Sequence, residues 1–176
     1  CSKNDVRIWN SKTRQELLRI HVPNLECYCL DFMKDGKSII TGWHDGKIRA
    51  FLPQSGKLLF CINDAHVNGV TALASTSDNS RIVSGGYGGE IRIWKLNKQS
   101  QVMEASLKEH RSRVWSIQIN SLNDRAISCS GDGSCIVWDI KSFTRIACMF
   151  EGTMFKQLVF HPDESQILTT GSNRKV

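Results

Sequence analysis

His110, Ser128 and Asp132 supply the side-chain types of a hydrolytic triad. A hydroxyl could attack, an imidazole could take its proton, and a carboxylate could hold the imidazole. Such chemistry also needs these groups in hydrogen-bond reach of one another and a place for the reacting atom. A second candidate is Gly85-Gly86-Tyr87-Gly88-Gly89, which could offer backbone N–H groups to a phosphate. That cradle needs a helix after it, and a Lys-Ser/Thr pair in its P-loop form. The next residues are Glu90-Ile91-Arg92-Ile93-Trp94, and they read as a strand. The seven cysteines form no C-x-x-C and no Cys/His ligand cluster, so they point to buried reduced thiols and not to a metal site. Their odd, unpatterned number suits a reducing compartment. The residues call for no cofactor, metal or small-molecule substrate.

Repetition accounts for the triad better than catalysis does. His66 precedes Trp94 by 28 residues, and His110 precedes Trp138 by the same 28. Ser84 and Ser128 each lie ten residues before their Trp, and Thr41 lies ten before Phe51. Residue types that recur at fixed offsets belong to a repeated structural unit. That unit ends in a hairpin and an aromatic anchor. Ser128 to Asp139 contains a strand, an Asp132-Gly133 turn and a second strand closing in Trp138-Asp139. Asp-Gly suits a two-residue hairpin because Gly reaches positive φ without steric cost. The same element runs through Gly88–Trp94, Asp45–Phe51 and Lys3–Trp9, and a further copy opens at Asn173–Val176. The anchors Trp9, Phe51, Trp94 and Trp138 are 42, 43 and 44 residues apart. A period of about 40–45 residues built on strand-turn-strand-Trp-Asp marks propeller blades.

On these residues the chain resembles the WD-repeat family of β-propellers. The resemblance implies a hydrogen-bonded tetrad in each blade. The third repeat matches it fully with His110, Ser128, Asp132 and Trp138. The second has His66, Ser84 and Trp94, with Gly88 in place of the Asp. The first has Thr41 and Asp45, with Pro23 and Phe51 at the His and Trp positions. The fourth has Thr169 and Asn173, with Glu151 at the His position. One blade is therefore expected to be well tied and three looser.

The expected fold is all-β, with four-stranded antiparallel WD-repeat blades. Residues 1–176 are expected to form one partial propeller, with repeats ending near 9, 51, 94 and 138. WD-repeat rings usually hold more blades than the four or so that fit here. The chain begins at Cys1 and ends in mid-strand, so it is expected to be a piece of a longer protein. Gln15–Val22 is expected as an outer strand ended by Pro23, with Cys27–Phe32 as the next inner strand. Trp9, Trp94 and Trp138 are expected to be buried. No stretch of about 20 apolar residues suggests a membrane span.

Trp43 and Tyr87 fall outside the anchor register, in turns on the face that also carries the His-bearing loops. Trp43, His44, Tyr87, Arg111 and Arg113 are the expected partner-contact residues, since aromatics with Arg suit a binding hot spot. The net charge of +6, from 23 basic and 17 acidic residues, is spread along the chain. It permits an acidic protein surface, and it lacks the dense basic stripe of a nucleic-acid binder.

Longer runs narrow the resemblance. Cys1–Asn10, Asp31-Phe32-Met33, Asp35–Ile40, Asp45–Phe51, Asn63–His66 and Leu107–His110 resemble the ciliary, axonemal members of the family. This implies a non-enzymatic structural protein inside doublet microtubules of motile cilia, in the cytoskeleton. Its partners would be tubulin and other axonemal proteins. A general WD-repeat adaptor of a cytoplasmic or nuclear complex, or a nucleic-acid-binding propeller, are the alternatives.

Overall fold

A computed structural model describes residues 3–172, with side chains for residues 5–172. It contains fifteen strands: β1 (Lys3–Trp9), β2 (Glu16–Phe32), β3 (Ile39–Trp43), β4 (Ile48–Phe51), β5 (Leu58–Ile62), β6 (Val70–Ser75), β7 (Arg81–Gly86), β8 (Ile91–Leu96), β9 (Gln101–Leu107), β10 (Val114–Ile119), β11 (Arg125–Ser130), β12 (Ser134–Asp139), β13 (Thr144–Phe150), β14 (Phe155–Phe160) and β15 (Ile167–Gly171). They form antiparallel sheets in sequence order: β1 to β5, β6 to β9, β10 to β13, and β14 with β15. The inner strands β2, β6, β10 and β14 stand beside one another, so the sheets follow each other as blades.

The apolar residues are buried between blades. Ile40, Ile48 and Ala50 of β3 and β4 pack with Leu73, Ile82 and Trp94 of the next blade. Ala72, Val83, Ile91 and Ile93 pack in turn with Ile117, Ile136 and Trp138. Ile127, Cys129 and Cys135 meet Phe155 and Leu158. Each interface buries one face of each sheet, which is how a small blade without a core of its own is stabilised.

Two expectations need correction here. The strand before Pro23 and the strand after it are one element, β2. Its first part pairs with β1 and its part from Cys27 pairs with β3. Pro23 is tolerated because β1 presents no partner between His21 and Glu26, so no ladder hydrogen bond is lost. Asn24 takes up the change of direction at φ 59°. Trp9 is not buried: it is 54% exposed. The β1–β2 ribbon has no further strand on its β1 side among the described residues, so nothing covers the indole. β1 pairs with β2 alone and β15 with β14 alone, so these two ribbons do not complete a single blade among the described residues. The hairpin copy read at 173–176 lies outside them.

Two devices recur on opposite faces. On one, the turn residues Asn79, Asn123 and Glu164 adopt positive φ and reach the preceding blade, accepting from Lys34 N (2.9 Å), Ser77 N (2.7 Å) and Ser121 N (2.6 Å). On the other, every inner strand starts with a register shift that leaves one residue unpaired: Tyr28, Thr71, Trp115 and Lys156. Bulges of this kind re-aim a side chain.

Candidate functional site

The third blade brings its four expected residues into one hydrogen-bonded set. His110 arrives on the loop before β10, Ser128 on β11, Asp132 in the β11–β12 turn and Trp138 on β12. His110 Nε2 lies 2.7 Å from Ser128 Oγ, and Trp138 Nε1 donates to the same oxygen at 2.8 Å. The His110 and Trp138 rings meet edge to face at 6.2 Å. Asp132 reaches His110 mainly through a residue that the sequence reading missed. Ser134 Oγ donates to Asp132 Oδ1 at 2.5 Å and lies 2.6 Å from His110 Nδ1, whereas Asp132 Oδ2 is 3.7 Å from that nitrogen. The signal was present, since a Ser two residues after a turn Asp commonly bonds back to it. Asp132 Oδ2 also accepts from Arg111 N at 2.6 Å. Ser128 is fully buried and His110 is nearly so, which leaves a substrate no approach to the hydroxyl. Burial holds the His110 pKa below its usual value, with the Asp132 carboxylate opposing.

The second blade is tied at one end. His66 Nε2 lies 2.8 Å from Ser84 Oγ, and Trp94 Nε1 donates to it at 2.9 Å. Gly88 provides no carboxylate, and Glu90 approaches instead, with Oε2 3.9 Å from His66 Nδ1. Glu90 is already engaged by Arg92 at 2.9 Å and by Ser106 Oγ at 2.5 Å. His66 Nδ1 is left buried without a hydrogen-bond partner. Burial first, and then the nearby Arg92, pull the His66 pKa down to about 4, with Glu90 opposing.

This gives a pH prediction. Between about pH 6.5 and 4 the unfolded chain binds a proton at this histidine that the folded blade refuses. The stabilisation is complete above about pH 6.5 and is lost as pH falls through 4. The full loss is of order 3 kcal/mol, since one pKa unit is worth about 1.4 kcal/mol. Urea melts between pH 7 and 5, before most carboxylates titrate, should show the slope, and His66→Gln should reduce it to the part that the depressed His110 contributes. An unchanged slope in His66→Gln would assign it elsewhere.

The first blade solves the missing ring differently, and here an expected partner residue is corrected. Trp43 is fully buried. Its Nε1 donates to Thr41 Oγ1 at 2.7 Å. Two residues apart on a strand, the side chains share a face. In the other blades the equivalent hydroxyls, Ser84 and Ser128, receive both a His and a Trp. The position equivalent to Trp43 is then small, Gly86 or Ser130; a Cβ at Gly86 would stand 2.4 Å from His66 Nδ1. With Pro23 in place of the His and Phe51 in place of the Trp, one indole from β3 takes the hydroxyl. Asp45, without a His, forms a two-point pair with Arg49 at 2.6 and 3.0 Å. The Arg49 guanidinium also lies 5.5 Å from the Trp43 ring centre. In the fourth blade Glu151 is exposed, and its N–H donates to Gly133 O at 2.9 Å. Thr169 is half-buried on β15, and Asn173 lies outside the described residues.

Three of the remaining expected contact residues gather on the face of the bulges. The Arg113 guanidinium lies 4.1 Å from the Trp115 ring centre, 5.1 Å from Tyr28 and 5.6 Å from Tyr87. His44 extends the group through its ring, 5.7 Å from that of Tyr28. Tyr28 and Trp115 are bulge residues, which explains why two rings from blades separated by a third converge. Thr71, the bulge residue between them, is small and buried, with its hydroxyl donating to Val114 O at 2.6 Å. Arg111 is elsewhere, beside Asp132 and Arg145 in a depression of about 400 Å³ on the third blade. Tyr28 and Trp115 were not in the expected set, because a bulge is not readable from residue spacing.

The family described as "WD domain, G-beta repeat" matches residues 56–95 and 101–139. The whole chain is 49% identical to cilia- and flagella-associated protein 52 of Mus musculus and 53% identical to the protein of that name from Chlamydomonas reinhardtii. It spans 28% and 29% of their lengths. Among solved structures, U3-55K superposes with a TM-score of 0.73 at 23% identity, over 79% of this chain and 44% of that one. Repeat matches, superposition and the recurring ring-to-hydroxyl sets agree: this chain carries WD repeats, folded one after another as propeller blades.

Proposed function

We propose that this chain is part of a non-enzymatic scaffold of motile cilia and flagella, seated inside doublet microtubules and contacting tubulin and other axonemal proteins. One observation carries the reading: an alga and a mammal each hold a cilia- and flagella-associated protein about half identical to the entire chain. The blades add physical support. The His, Ser and Asp side chains of the second and third blades are consumed in holding strands together, and the bulge face carries the exposed rings of His44 and Tyr87 beside Arg113. The bulge face, with His44, Tyr87 and Arg113, is the proposed contact surface.

The test is a tagged full-length protein expressed in a flagellated cell. The tag should stay with the axoneme after detergent and salt washes. It should be hidden from antibody on intact doublets and become accessible once they are opened. A tag in the soluble fraction defeats the ciliary reading, and one accessible on intact doublets defeats the luminal placement.

A further inference from the structure

We infer that Arg113 and the rings around it form a receptor for a carboxylate side chain on an acidic segment of a partner protein. This deepens the reading of the bulge face as a protein contact and rests on it. Arg113 comes from the loop before β10. It is surrounded by rings from three consecutive blades: Tyr28 of the first, Tyr87 of the second and Trp115 of the third. Glycines admit two of these rings close to the backbone. A Cβ at Gly69 would lie 2.9 Å from the Tyr28 ring, and one at Gly131 would lie 3.2 Å from Trp115 Nε1.

Rings over the faces of a guanidinium fix its plane and leave its N–H edge free. No carboxylate pairs with Arg113 among the described residues, and its buried Nε has no hydrogen-bond partner. Other arginines on these three blades pair with a carboxylate of the chain: Arg49 with Asp45, Arg81 with Glu104, Arg92 with Glu90 and Arg145 with Glu109. Asp45, next to His44, is already taken by Arg49. A planar, held cation with unused donors fits a carboxylate, which accepts two parallel N–H bonds. Tyr87, 51% exposed, and Trp115, 36% exposed, would cover the apolar stem of the incoming Glu or Asp. The positive net charge of the chain favours the approach of an acidic segment.

The probe is a fluorescent ten-residue peptide of alternating Glu and Gly, titrated into the full-length protein. Controls are the same peptide with Gln for Glu, and an oligouridine of equal length. The Glu peptide should bind in a salt-sensitive manner, and the Gln peptide should bind at least about tenfold more weakly. Arg113→Gln should weaken binding about tenfold or more. Arg113→Lys keeps the charge without the fork and should give an intermediate loss. Tyr87→Ala changes an exposed turn residue, so it serves if Arg113→Gln unfolds the blade, and it should weaken binding severalfold. Equal binding by Arg113→Gln or by Tyr87→Ala, equal binding of the two peptides, or tighter binding of oligouridine through Arg113 would each overturn the inference. Axonemal retention is read separately. Retention without Glu-peptide binding sinks this inference alone, and Glu-peptide binding without retention sinks the ciliary reading alone.

Discussion

Trp138→Ala should destabilise the third blade by about 3–5 kcal/mol, the range for truncating a large buried aromatic. The indole is 1% exposed and packs in the cluster that joins the second blade to the third, with Val83, Ile93 and Ile117. Its removal opens a cavity at a blade interface, where neighbouring sheets are held by turns and cannot collapse fully. It also removes the donor to Ser128 and the ring edge against His110. Trp138→Phe keeps most of the volume and loses the N–H, so about 1–2 kcal/mol should go. Trp9→Ala is the control. It occupies the same place in the repeat but is 54% exposed, and its effect should stay small. Native-state hydrogen exchange of β11 and β12 amides would measure the loss. A Trp138→Ala cost as small as that of Trp9→Ala would mean that the anchor is not held by its blade interface.

That contrast marks how far sequence could be read. The anchors, the hydroxyl ten residues before each of three, and the histidine 28 before two of them all follow one chain period. Such a period sets strand order and hairpin position, because every blade repeats the same local problem. It does not set what lies on the far side of a strand. Trp9 and Trp138 are equivalent in the repeat, and only the neighbouring sheet separates them. For Ser134, spacing shows only the bond back to Asp132; its contact with His110 crosses two loops and has no local signal. Tyr28 and Trp115 come together through one-residue bulges, and a bulge changes where a side chain points without altering the hydrophobic pattern. Trp43 was misread for a related reason. A large aromatic next to a turn, out of register with the anchors, looks like a surface group. The two vacancies that it fills, at Pro23 and Phe51, lie 20 residues before it and eight after it.

Trp43→Ala should therefore cost about as much as Trp138→Ala, about 3–5 kcal/mol. An exposed contact residue would give a change within about 0.5 kcal/mol, so the two readings separate cleanly. Trp43 packs with Val6, Ile20, Cys27 and Phe51, and its loss would open the interface between the β1–β2 ribbon and the first blade. Thr41 would keep its own donation to Arg49 O at 2.9 Å, so the hydroxyl is not orphaned and the cavity dominates. Trp43→Phe, which loses the N–H while filling most of the space, should cost about 1–2 kcal/mol. The substitution of one ring for another can be tested by reversing it. Trp43→Gly recreates the small residue of the second blade at this position, and Phe51→Trp supplies an indole ten residues after the hydroxyl, the offset of Trp94 from Ser84. In the double variant the new indole should reach Thr41 and recover about 1–2 kcal/mol of what Trp43→Gly alone loses. Exchange rates of β3 and β4 amides would measure both. If Phe51→Trp instead adds its own cost to that of Trp43→Gly, the first blade differs from the others in backbone geometry, and Trp43 is not a replacement for their rings.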